Sequence, residues 1–103
     1  MDRDEALAFV AKSHTGILTT LRRDGMPIAL PVWFVVRDGQ VYIATPSHTK
    51  KVARIRADPR VSFLTESGKR WAELKAVQLN GEARVVEDPS VLDEVRALLG
   101  EKY

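Results

Sequence analysis

Apolar positions fall in short runs whose spacing changes along the chain. Near the start, Leu7, Val10 and Ala11 recur at helical spacing. Asp2 followed by Glu5 has the form of a capping box, so residues 3–12 are predicted helical. Gly16 ends that region. Ile17 to Leu21 reads as a strand, closed by a turn at Arg22-Arg23-Asp24-Gly25, where the glycine supplies a positive φ. Pro27 to Val36 is nearly all apolar (PIALPVWFVV). Extended, it puts Ile28, Leu30, Val32, Phe34 and Val36 on one face and Ala29, Pro31, Trp33 and Val35 on the other. Both faces need cover, from a barrel interior or a partner subunit. Pro31 cannot donate a ladder hydrogen bond and marks a bulge or an edge, where a ligand can meet backbone atoms.

Arg37-Asp38-Gly39-Gln40 forms a second hairpin turn, and Val41 to Thr45 a third strand. The stretch TPSHTKKVARIRADPR, Thr45 to Arg60, then reads as a strand end, a sharp turn and a short helix beginning near Ser47 or His48. Asp58-Pro59 stops that helix. Val61 to Thr65 is a fourth strand, Glu66 to Arg70 a loop, and Trp71 to Glu87 one long strand. Its second half alternates, with Val77, Leu79, Ala83 and Val85 opposite Gln78, Asn80, Glu82 and Arg84. Asp88-Pro89 opens a last helix with Val91, Leu92, Val95, Leu98 and Leu99 as its buried stripe and Gly100 as C-cap. Hairpins with an inserted helix fit a small antiparallel barrel better than a parallel sheet, so the fold class is mainly β with short helices.

A length of 103 residues predicts a single domain, residues 1–103. A monomer of that size buries only about 60–65% of its unfolded surface, so a second subunit would add stability. No run approaches the roughly 20 apolar residues of a membrane span. The opening MDRDEALAFVAK is acidic and amphipathic rather than a signal peptide, which implies a cytoplasmic protein. The absence of cysteine excludes disulfides, thiolate metal sites and a cysteine nucleophile. A net charge of +2 and a basic helix without interleaved aromatics argue against nucleic acid as a partner.

Charge matters locally instead. A helix start leaves backbone N–H groups unpaired and carries partial positive charge, which attracts anions. Here Thr45, Ser47 and Thr49 add hydroxyls, and Lys50 and Lys51 follow directly. That set suits a phosphate; the plainer alternative is a solvated basic helix face. His14 and His48 lack the spacing of metal ligands, so no metal site is expected. No G-x-S-x-G, Walker loop or G-x-G-x-x-G occurs.

GMPIALPVWFVVRDGQVYIATPSHTKKVARIRADPRVSFL, followed by VQLNGEARVVED, resembles the pyridoxamine 5′-phosphate oxidase-like family of flavin-binding split β-barrels, usually homodimers. LTTLRRDGMPIALPVWF resembles the branch that includes enzymes using the deazaflavin coenzyme F-420. The resemblance implies an antiparallel, dimeric split barrel holding F-420 or FMN. It sets the isoalloxazine ring against backbone of Ala29 to Phe34, with Pro31, Val32 and Trp33 as contacts, and adds Ala44 and Thr45 at the end of the third strand. Thr49, Lys50 and Lys51 would grip the phosphate. Many relatives have arginine at the first basic position; Lys50 keeps the charge but loses the bidentate fork. Arg54 would help neutralise the phosphate or the acidic tail of F-420, and Trp33 or Tyr42 would stack on a ring or wall the substrate cleft.

Two departures qualify the resemblance. The position where relatives often carry a ring-contacting glutamine falls on Ala76. Many relatives also continue with a further strand that bears substrate-binding residues, whereas this sequence ends at Tyr103. The expectation is therefore not a true pyridoxamine phosphate oxidase, but an oxidoreductase passing hydride equivalents to a small organic substrate. The alternative is a non-catalytic carrier of a flavin, deazaflavin or haem-like ligand. No side chain is assigned a catalytic role, since the cofactor carries the chemistry.

Overall fold

A computed structural model describes residues 1–103. Its elements are α1 (Arg3–Lys12), β1 (Gly16–Leu21), β2 (Pro27–Val32), β3 (Val35–Arg37), β4 (Gln40–Tyr42), α2 (Lys50–Ala57), β5 (Arg60–Ser67), a 3-10 turn (Trp71–Glu73), β6 (Lys75–Glu82) and α3 (Pro89–Lys102). A four-stranded sheet runs in the order β2-β1-β5-β6, and β3-β4 form a separate two-stranded one. All pairings are antiparallel. This is the mainly β split barrel, with helices around it. No helix is long and apolar enough to cross a membrane.

The first helix follows its cap: Asp2 accepts the Glu5 backbone N–H at 2.8 Å. At the β3–β4 turn, Asp38 (φ 51°) and Gly39 (φ 73°) both lie in the left-handed region, as a two-residue hairpin of the I′ type requires.

Several boundaries differ from expectation, and three of them have the same cause: a strand lasts only as long as its partner. The run Pro27 to Val36 is broken at Trp33-Phe34. Val32 pairs with Gly16, the first residue of β1, so the ladder has nothing beyond it. The chain turns there and Phe34 enters the core with no exposed surface. The third strand stops at Tyr42 because its partner begins at Val35. The long final strand is only β6, matched residue for residue to β5 from Arg60↔Glu82 to Ser67↔Lys75. Ala83 makes one last bond to the Pro59 carbonyl, and Trp71–Glu73 coil into the 3-10 turn. A further difference lies in α3, which runs through Gly100 to Lys102 rather than capping there.

Val10, Leu18, Val32, Phe34, Phe63 and Val77 form the core cluster. Phe34 meets Phe63 edge to face, with centroids 4.8 Å apart and planes at 77°. Pro31 lies on β2, an edge strand, where a missing N–H is tolerated. Met26, Leu30 and Trp33 remain exposed at that edge, and Trp71 and Leu74 beside β6.

Ion pairs tie the elements together. Arg37 on β3 holds Glu94 of α3 at 2.8 Å, which keeps the Glu94 carboxyl below its usual range and pushes the guanidinium up. Asp58 is lowered by its bonds from Arg60, and Asp88 by those from Ser90. Each carboxylate is more acidic folded than unfolded. The stabilisation is thus complete above the ordinary values, 3.8 for the aspartates and 4.5 for Glu94, and is lost as pH falls through the lower folded values. The urea midpoint should stay level from neutral pH down to about pH 5 and then fall. In Glu94→Gln it should start lower and fall less steeply; an identical acid limb would exclude the Arg37–Glu94 pair as a contributor.

Candidate functional site

The break after β2 and the early end of β4 leave two unpaired stretches side by side, and a cavity opens where they meet. Pro31, Val32 and Trp33 line it from β2 and the residue beyond, Ile43 and Ala44 from the chain leaving β4. Lys51 enters from the first turn of α2, and Leu99, Gly100 and Tyr103 from the end of α3. The volume is about 540 Å³ and six of the nine lining residues are hydrophobic. That falls within the size range of small-molecule and cofactor sites.

At the basic end, α2 begins at Lys50 with Thr49 as N-cap, two residues or so later than the expected start near Ser47 or His48. The Thr49 side chain makes no capping bond; its hydroxyl lies 3.4 Å from that of Thr45. The first turn of α2 contains no acidic residue. Two lysines at the positive end of a helix are electrostatically unfavourable unless an anion joins them.

The wider basic cluster divides. Arg54 donates from Nε to the buried Thr20 hydroxyl at 2.7 Å, a tie between α2 and β1. Arg56 pairs with Glu87 and Arg60 chelates Asp58. Lys50 and Lys51 have no carboxylate partner among the ion pairs.

Of the expected contacts, Pro31, Val32, Trp33 and Lys51 therefore share one cavity, and Ala44 with them. Thr45 and Thr49 sit together at the helix start; Lys50 is exposed on the first residue of α2 and does not line the cavity. Tyr42 is elsewhere, its hydroxyl within 3.3 Å of Arg37 and 3.2 Å of Gln40 on the β3–β4 hairpin. Ala76 is exposed on β6.

Tyr103 is the residue that sequence reasoning missed. Its ring stacks on Trp33, with centroids 4.4 Å apart and planes 2° from parallel. The hydroxyl accepts the Phe34 N–H at 3.0 Å and donates to the His14 carbonyl at 2.6 Å. Lys102 supplies the third bond, from Nζ to the Phe34 carbonyl at 3.0 Å, with the ammonium 3.6 Å from the Phe34 ring centroid. The Phe34 N–H and carbonyl, left without a strand partner by the break after β2, are satisfied by Tyr103 and Lys102. His14 completes the corner, edge-on to Trp33 at 5.7 Å and to Tyr103 at 5.1 Å. The only signal in the sequence was a tyrosine just beyond an amphipathic helix, which says nothing of where it docks.

Two antiparallel sheets, a break between them and an apolar cleft ending at a basic helix start define a protein of the split-barrel class. The chain belongs to the pyridoxamine 5′-phosphate oxidase family, whose sequence profile matches residues 2–103. Among solved structures it is similar to the conserved hypothetical protein Rv2991 from Mycobacterium tuberculosis, with a TM-score of 0.94 and 38% identity. That alignment covers 100% of this chain and 64% of the other, so the chain spans a little under two thirds of that relative. An FAD-binding protein from Mesorhizobium loti shares the fold at 23% identity and a TM-score of 0.80, over 98% of this chain and 76% of that one. So does a heme binding protein from Mycobacterium smegmatis, at 24% identity and 0.76, over 92% and 40%. No curated protein matches the chain.

Proposed function

We propose that the chain binds a flavin-type cofactor, FMN or the deazaflavin coenzyme F-420, and serves as a cytoplasmic, homodimeric oxidoreductase for a small organic substrate. The observation that carries this reading is the joining of an apolar cavity of about 540 Å³ to a helix start bearing two lysines without carboxylate partners. An apolar slot with cationic charge at one end is complementary to a planar ring whose side chain carries a phosphate. In that arrangement Pro31, Val32 and Trp33 contact the ring, and Thr45, Thr49, Lys50 and Lys51 hold the phosphate.

When bound, such a cofactor supplies hydride transfer. The chain's own residues bind and orient it: none of the cavity-lining side chains is a carboxylate, histidine or thiol. The exposed Met26, Leu30, Trp33, Trp71 and Leu74 favour a second copy as cover. The second reading is a non-catalytic carrier, favoured by Tyr103, which covers one face of Trp33 inside the cavity and narrows the space beside the ring.

The test is titration of the purified protein with FMN and with F-420, followed by absorbance and fluorescence. Micromolar or tighter binding of either is expected, and binding of neither refutes the proposal. Lys50→Ala combined with Lys51→Ala should weaken that binding tenfold or more, about 1.4 kcal/mol, with the fold intact. An unchanged affinity would remove the phosphate assignment while leaving the ring site standing. Turnover of the reduced cofactor with candidate acceptors then separates enzyme from carrier.

A further inference from the structure

Gly100 occupies an unusual place. It lies inside α3, with helix continuing to Lys102 on its far side. Glycine is the poorest helix former after proline, so an interior position calls for a reason. A left-handed C-cap is not that reason, because the glycines at positive φ are Gly25, Gly39 and Gly68. Close packing is not the reason either, since a Cβ built on Gly100 meets nothing within 4 Å. What sets the position apart is that it lines the cavity, between Leu99 and Tyr103.

We infer that the last turn of α3 is the size-limiting wall of the ligand cavity, and that Gly100 is its specificity-determining position, keeping open the space a planar ring needs. The inference rests on the flavin reading above and adds a determinant to it. The wall is fixed. Tyr103 is stacked on Trp33 and bonded to Phe34 and His14, and Lys102 is bonded to Phe34. A turn anchored at so many points cannot retreat, so a side chain added at position 100 takes volume from the cavity.

The experiment compares wild type, Gly100→Ala and Gly100→Leu in FMN and F-420 titrations, with thermal unfolding of each protein. Gly100→Ala should unfold a few degrees higher, as expected for alanine in a helix, yet bind the cofactor about threefold more weakly. Gly100→Leu should bind at least tenfold more weakly. The salt dependence of binding should be unchanged in both, because Lys50 and Lys51 remain. Wild-type affinity in both variants overturns the inference and leaves the flavin reading intact. Weaker binding with a lowered unfolding temperature in Gly100→Ala also overturns it, since glycine would then be serving the backbone. A wild type that binds neither cofactor removes both.

Discussion

Phe34→Ala is expected to destabilise the protein by about 3–5 kcal/mol, the usual cost of emptying a buried phenylalanine site. Phe34 has no exposed surface and belongs to the central cluster, with its ring edge against Phe63. The surrounding wall is poorly placed to collapse into the void. Tyr103 and Lys102 hold the Phe34 backbone, and the Lys102 ammonium sits over the ring itself. Removing the ring therefore creates a cavity and also strips that ammonium of its aromatic partner. Equilibrium urea unfolding of the two proteins measures the difference. Phe34→Leu should lose clearly less, because most of the volume survives. A loss below about 1 kcal/mol for Phe34→Ala would show that the site relaxes and that the described packing is wrong.

Gly16→Ala should cost about 1–3 kcal/mol through overpacking, although alanine is ordinarily harmless in a strand. A Cβ at position 16 would stand 2.2 Å from Cζ and 2.6 Å from Cε1 of Phe63. Phe63 cannot swing away, being nearly buried and packed on Phe34. The diagnostic is rescue. In a Gly16→Ala, Phe63→Leu double variant the two losses should be less than additive, because the shortened side chain removes the clash. Strict additivity in urea unfolding would rule the contact out.

How far the sequence disclosed the molecule depended on whether a feature was local. The Asp2 cap, the turns at Gly25 and Gly39 and the Asp88-Pro89 helix start need only neighbouring residues, and each formed where expected. Strand lengths depend on a partner distant in sequence. Pro27 to Val36 is uniformly apolar, yet it is cut in two because β1 happens to start at Gly16. The motif from Thr45 to Lys51 was legible as a basic helix start, but not the way the cluster divides. Only the packed structure sends Arg54 to Thr20 and leaves Lys50 and Lys51 without acidic partners. The α3 wall of the cavity was illegible. Leu99 and Gly100 carried a helix pattern and a helix-stop signal, and neither encodes what the helix end will face.

The bond from the Phe34 N–H to the Tyr103 hydroxyl joins residues separated by 69 positions. Contacts of such high contact order form after local ones, since the loop between them must close first. The β1–β2 hairpin needs only its own turn and can form early. The cavity cannot: it comes into being when the last turn of α3 reaches Trp33 and Phe34. A partly folded chain with both hairpins in place would still have no ligand site. On the proposed reading, ligand capture would be a readout of completed folding, and a ligand bound there would act as a brake on unfolding from the α3 end.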